Sequence, residues 1–182
     1  MSADLRILQS ALLVTRHQRG DAAAFTELVH LWQKPLFYYL RRLAASEPDA
    51  WELLQESWLK LFRSLKTLRD PHAFPAFLYT IARTTALSRL RSPELTAPDS
   101  LPPADAPDFG EDPALAFDNA DQVHHALEQL PLPQREVLTL FFLHDLSLEQ
   151  IATLLTVPLG TVKSRLHYAR QALKTILTPS LT

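Results

Sequence analysis

The stretch Ser147–Leu177, SLEQIATLLTVPLGTVKSRLHYARQALKTIL, constrains this chain more than any other. It spells a short helix, a tight turn and a longer helix. Ser147 with Gln150 three residues on forms a capping box that fixes where the first helix begins. Ala152, Leu154 and Leu155 carry its apolar pattern, and Thr156-Val157-Pro158-Leu159-Gly160 interrupts it. Thr161 is then expected to cap the second helix. In that helix Val162, Leu166, Ala169, Leu173, Ile176 and Leu177 share one apolar stripe at about 100° per residue. Lys163, Ser164, His167, Gln171 and Lys174 fall opposite, with Arg165 and Arg170 on the flanks. The helix has four basic residues and no acidic one. A basic helix after a capped helix and a Gly-containing turn is a helix-turn-helix, whose second helix fits the major groove. A solvated basic face on an ordinary helix pair is the plainer alternative.

The remainder reads as helical too. Gly occurs only at 20, 110 and 160, and no alternating run of β-branched and aromatic residues is long enough for a sheet. The expected fold class is all-α: two small helical domains joined by a flexible Pro/Asp-rich linker, with the helix-turn-helix at the C-terminal end. The 182 residues contain no cysteine, which excludes disulfides and Cys-ligated zinc. The seven histidines show no ligand spacing, so no metal and no cofactor is expected. No apolar run reaches the ~20 residues of a membrane span, and the N-terminal residues show no basic stretch before an apolar core, so no secretory signal is expected. A cytoplasmic protein is expected.

A net charge of −2 conceals strong segregation. Residues 1–91 hold thirteen Lys/Arg against eight Asp/Glu, whereas residues 92–113 hold six acids and no base. A polyanion-binding chain needs its positive charge on particular surfaces, not in excess overall. The acidic segment SPELTAPDSLPPADAPDFGEDP also contains six of the fourteen prolines. Such a stretch cannot bury enough surface to offset its ordering entropy, and at ~3.1 Å per residue it spans roughly 70 Å. It is the predicted linker between a domain at 1–91 and one at 114–182.

Within residues 1–91 four helices are expected. The first runs from about Asp4 to Arg19 and stops at Gly20. Asp21 caps the second, which continues past Pro35; Ser46-Glu47-Pro48 opens the third; and a fourth runs from Ala73 to about Arg91. The fourth combines Phe74, Phe77 and Tyr79 with Arg83, Arg89 and Arg91. Aromatics beside arginines can stack on unpaired bases while the cations hold phosphates. Aromatics at helical spacing are more often core, and Phe77 and Ile81 are expected there.

In this order the motifs resemble one family, the small extracytoplasmic-function (ECF) sigma factors of bacterial RNA polymerase. Arg19-Gly20-Asp21 with Ala24-Phe25 and Leu28 resembles the family's opening, and Asp49-Ala50-Trp51-Glu52-Leu53-Leu54-Gln55-Glu56-Ser57-Trp58 its polymerase-binding helix. Phe74–Arg83 is similar to its promoter-melting segment. Leu130-Pro131, Arg135–Leu138 and Gly160–Leu166 resemble its C-terminal domain. The resemblance implies that the chain binds core polymerase, at the β′ coiled coil and the β flap, and directs promoter-specific initiation without being an enzyme. Asp49, Glu52, Leu53, Gln55, Glu56 and Leu59 would contact the polymerase. Lys66, Arg69, His72, Phe74, Tyr79, Arg83, Arg89 and Arg91 would engage and melt the proximal promoter element. Thr161, Lys163, Ser164, Arg165, His167, Tyr168, Arg170, Gln171 and Lys174 would read the upstream element. An anti-sigma factor is a further implied partner, and membrane insertion is not expected. Charge segregation suggests that the acidic linker masks the basic C-terminal face.

The sequence departs from the family in places. Thr84, Ser88 and Arg89-Leu90-Arg91-Ser92 stand where the family usually has Asn, Asp and a run of arginines. Tyr168 replaces a residue that is often basic, and Trp51 a usual acid. These departures imply an altered promoter preference, or a sigma-like decoy that engages polymerase without opening DNA. A stand-alone helix-turn-helix regulator is the other alternative, though its usual α/β partner domain is missing from the pattern.

Overall fold

The computed structural model describes residues 3–90, 126–142 and 146–177. The predicted linker and Arg91 lie outside them. The architecture is all-α as expected, with no strand among the described residues. Four helices form an N-terminal unit: α1 (Ala3–Gln18), α2 (Ala22–Leu43), α3 (Glu47–Ser64) and α4 (Phe74–Leu90). Among the described residues the C-terminal unit holds α5 (Leu132–Phe142), α6 (Leu148–Leu155) and α7 (Leu159–Leu177), preceded by helical residues 126–128.

Local signals set the N-terminal helix boundaries. Gly20 adopts φ +99°, a left-handed conformation that Gly reaches without penalty and that ends α1. The Asp21 carboxylate accepts the Ala23 amide at 2.9 Å and caps α2. It also takes Arg16 Nε at 2.8 Å, and Arg16 grips Glu27 through two further bonds. Hydrogen bonding to Arg16 holds the Asp21 carboxyl below its ordinary pKa. Pro35 sits inside α2, which runs through it as expected. Ser46 caps α3, with Pro48 in its first turn. Between α3 and α4 the chain makes two 3₁₀ turns, Leu65–Thr67 and Pro71–Ala73. The Gln18 side-chain amide donates to the carbonyls of Leu65 (3.2 Å) and Leu68 (2.8 Å), tying the end of α1 to this connection.

The core of the N-terminal unit is aromatic. Trp32, Tyr39, Phe74 and Tyr79 are almost wholly buried. Trp32 meets Phe74 and Tyr79 edge-on at ring separations of 6.0 and 6.2 Å, and Tyr39 meets Tyr79 at 5.2 Å. The one buried polar atom of the Trp32 ring is satisfied, its Nε1 donating to Ser10 Oγ at 2.8 Å.

In the C-terminal unit the capping box forms as read: the Gln150 amide donates to Ser147 Oγ, and Gln150 Oε1 accepts the Ser147 amide. Thr156, at φ 59°, makes the turn in left-handed conformation, so a β-branched residue does what a glycine usually does. The next helix already begins at Leu159. Thr161 and Gly160 therefore lie in its first turn, and the expected cap at Thr161 is displaced. The amides of Thr161 and Val162 bond to the Pro158 carbonyl instead.

The two units are packed together: α5 lies against α2, and α6 against α4. One continuous cluster of buried residues runs from Leu13 to Leu173 through both units.

Candidate polymerase and promoter interfaces

The predicted polymerase-facing residues lie on α3, and helical phase divides them. Ala50, Leu53, Leu54, Ser57 and Leu61 are buried, so Leu53 belongs to the core and offers nothing to a partner. Glu52, Gln55 and Leu59 are exposed on the other side, with Glu56 half-buried beside them. Asp49 is taken up locally by Ser46 Oγ at 2.6 Å, and Glu56 pairs with Lys60 at 2.7 Å. Two apolar side chains that the pattern reading did not assign to this face complete it: Phe62, 53% exposed, and Trp51, 41% exposed. Phe62 follows Leu59 by three residues, and that spacing was the available signal. The result is an apolar ridge, Leu59 and Phe62, continuing an acidic and amide edge, Glu52 and Gln55.

The proximal-element residues divide between the α3–α4 connection and the body of α4. Lys66, Arg69 and His72 are exposed on the connection, and the Asp70 carboxylate shapes it by accepting the His72 amide at 2.9 Å. Phe74 and Tyr79 are fully buried in the Trp32 core, while Phe77 and Ile81, expected in the core, are only partly buried. The aromatic assignment thus moves inward: Phe74 and Tyr79 form the core, and Phe77 and Ile81 pack against its edge. The reason is phase: Phe74, Leu78, Ala82 and Ala86 run down the inner face, with Tyr79 beside them. Phe77, Thr80, Thr84 and Ser88 mark the outer side. Thr80 and Thr84 turn their hydroxyls back to the carbonyls of Ala76 and Thr80. Arg89 pairs with Glu52 of α3. Arg83 is buried between the two units and pairs with Glu136 of α5 at 2.9 Å.

On α7 the stripe of Val162, Leu166, Ala169 and Leu173 is buried as expected. Gln171 and Lys174 are exposed, and Thr161, Lys163, His167, Tyr168 and Arg170 half-buried. Arg170 lies over the Phe142 ring at 4.8 Å, and His167 and Tyr168 meet edge-on at 5.4 Å. Two predicted contacts sit differently from the helical-wheel reading: Ser164 and Arg165 are buried. Arg165 stands three residues after Val162 and four before Ala169, which places it over the inner edge of the stripe. Ser164 Oγ donates back to the Gly160 carbonyl at 3.0 Å. Among the described residues no group of acids and histidines is placed to hold a metal ion. None of their helices is long and apolar enough to cross a membrane.

Two helical units, the second carrying a helix-turn-helix, have clear relatives among known proteins. The Sigma-70 region 2 family profile matches residues 28–94, and the Sigma-70 region 4 profile matches residues 120–173. The RNA polymerase sigma-H factor of Pseudomonas aeruginosa is 35% identical over 185 residues, covering 95% of this chain and 96% of the relative. The ECF RNA polymerase sigma-E factor of Escherichia coli K12 is 32% identical over 184 residues, covering 94% and 96%. Two solved structures share the fold. CnrH in complex with the cytosolic domain of CnrY has a TM-score of 0.66 at 20% identity, covering 94% of this chain and 99% of that one. The sigma factor RpoE of Bartonella quintana, in complex with the anti-sigma factor NepR, has a TM-score of 0.64 at 24% identity, covering 86% and 98%.

The chain belongs to the ECF family of RNA polymerase sigma factors. It is an alternative sigma factor, of the class that joins core polymerase to promoter DNA.

Proposed function

We propose that residues 1–91 bind core polymerase and open the proximal promoter element, that residues 114–182 read the upstream element, and that residues 92–113 tether the two. The carrying observation is the outer face of α3, where Leu59 and Phe62 stand more than half exposed beside Glu52 and Gln55. Large apolar groups kept in water at helical spacing suit a partner surface. The acidic edge suits a basic rim around it. Asp49 and Leu53 drop out of the proposed contact, and Phe62 joins it.

The α3–α4 connection is the proposed seat of the proximal element. Its three exposed basic or imidazole side chains, Lys66, Arg69 and His72, can hold phosphates on either side of an extruded base. Opening a step costs a few kcal/mol, which base capture and stacking offset. On α7, Lys163, His167, Gln171 and Lys174 are the proposed upstream contacts, with Thr161, Tyr168 and Arg170 beside them. Ser164 and Arg165 are proposed to contribute only once uncovered. An anti-sigma partner is supported by the RpoE–NepR likeness. The cell interior, where polymerase resides, is the proposed location.

A second reading is a decoy that binds polymerase without opening DNA. It is favoured by one observation: two of the arginines assigned to the proximal element, Arg83 and Arg89, are engaged by Glu136 and Glu52. In vitro transcription with core polymerase and the chain's own upstream region separates the two. A discrete, protein-dependent start site supports the initiation factor. Stable core binding without a transcript, on a template that works with another sigma factor, supports the decoy.

A further inference from the structure

Where the corner between α1 and α2 meets the end of α3, the surface is hollow. Gly20 ends α1 and Ala22 begins α2, and the notch they leave faces the last turn of α3 and the 3₁₀ turn after it. A cavity of about 360 Å³ opens there, lined by His17, Gly20, Ala22, Phe62, Arg63 and Lys66.

The lining has an aromatic part and a cationic part. The His17 ring lies 5.5 Å from Phe25 and 5.7 Å from Phe62, and those two phenyl rings meet edge-on at 5.0 Å. His17 is the buried member of the lining, only 6% exposed. Its Nδ1 is buried without a hydrogen-bond partner, as is Nε1 of Trp58, whose ring meets Phe25 at 6.0 Å. A phenylalanine at position 17 would fill this space without an orphaned nitrogen, so packing alone does not explain the imidazole. Arg63 and Lys66 are exposed and have no ion-pair partner among the described residues. Asp21 stands in the same corner, but its carboxylate is taken by Arg16 and the Ala23 amide, and Glu27 is held by Arg16 too. Cations at the end of α3 also offset its dipole. That accounts for the charges and leaves the buried imidazole unexplained.

We propose that this cavity binds a small organic anion with a flat aromatic body, an aromatic carboxylate in chemical class. The rings lie against Phe62 and His17, and the carboxylate sits between the two cations, where charge-assisted bonds are strongest. The volume is at the low end for a small-molecule site and suits one or two rings. Phe62 is shared with the apolar ridge of α3, so the bound anion and core polymerase compete for one side chain. That competition rests on the proposed role of the ridge; the site itself does not.

The test uses the full chain with naphthoate as probe, and with naphthalene methanol and inorganic phosphate as its uncharged and ringless counterparts. Calorimetry should show saturable binding of naphthoate, with both counterparts at least about tenfold weaker. In isotope-labelled histidine spectra, the imidazole signals that move should be those missing from His17→Phe. Arg63→Gln should weaken naphthoate about fivefold. Lys34→Gln, which removes an exposed cation outside the lining, should leave it unchanged. His17→Phe should weaken it about fivefold while thermal stability holds or rises, because an unsatisfied buried nitrogen is gone. If His17→Phe fails to fold, the contrast between Arg63→Gln and Lys34→Gln decides. Equal weakening by Lys34→Gln, or an alcohol that binds as tightly as the acid, overturns the site. So does an absence of saturable binding; if Arg63→Gln and His17→Phe then weaken core polymerase instead, the cavity is a socket for a polymerase side chain. Naphthoate that binds but is not displaced by polymerase overturns the competition alone. Failure of the parent to bind polymerase overturns the functional reading of α3, while the titrations still decide the anion site.

Discussion

Tyr39 belongs to two environments, and comparing them is instructive. Its ring packs on Tyr79 in the aromatic core of the N-terminal unit, where Trp32 and Phe74 are also buried and the buried indole N–H is satisfied. Its hydroxyl donates across to Glu136, in a contact where the other Glu136 carboxylate oxygen is buried without a hydrogen-bond partner. The first environment gains from burial of apolar area and has little polar strain. The second places charge out of water and recovers only part of the cost. Burial alone does not distinguish them, since both are nearly inaccessible; satisfaction of polar groups does.

The largest effect should come from the aromatic core. Phe74→Ala should cost about 3–5 kcal/mol in urea unfolding, because it removes a fully buried ring and leaves a cavity. A loss under about 1 kcal/mol would show that the core readily collapses around the gap. At the inter-unit contact, a single Arg83→Met strands the Glu136 carboxylate, a change worth about 3–5 kcal/mol in a rigid interior. Here separation of the units should cap the loss below that. The pair Arg83→Met with Glu136→Met should return stability to the parent level or above. Hydrogen exchange along α5 reads both, and a double variant as unstable as the single one would break the contrast.

Smaller again is Ser147→Ala, which removes the α6 cap and should cost about 1 kcal/mol. The loss should be confined to exchange in the C-terminal unit; spread into α1–α3 would mean that the units unfold as one. The smallest effect is a pH dependence. Asp21, held below its ordinary value by Arg16, contributes stability that is present above its unfolded pKa and lost as pH falls through its folded one. Acid unfolding followed below about pH 4 should therefore lose part of its slope in Asp21→Asn. An unchanged slope would show that the exposed pair contributes nothing.

Elements governed by local chemistry were legible in the sequence. The caps at Asp21, Ser46 and Ser147, the stop at Gly20 and the buried stripe on α7 all depend on residues within a turn of one another. The outer face of α3 was half legible: Glu52, Gln55 and Leu59 are exposed there as the proposed contact requires, but Leu53 is core and the exposure of Phe62 was missed. A run as apolar as Trp58–Leu65 does not by itself reveal which side faces inward. Phe74 and Tyr79 were given to DNA because an aromatic near arginines fits bases and fits a core equally well. Trp32, far away in sequence, decided the matter. The pairing of Arg83 with Glu136 was not legible at all, since it spans 53 residues and depends on how the units meet.

The Gln18 amide reaches two carbonyls of the α3–α4 connection, at Leu65 and Leu68, from 47 and 50 residues away. If the connection is the proposed seat of the proximal element, redesign of promoter preference is not a problem confined to residues 65–73. A loop grafted there from another sigma factor must bring two carbonyls to the same place, or carry its own residue 18 with it. The first helix is in that sense a part of the proposed reading head.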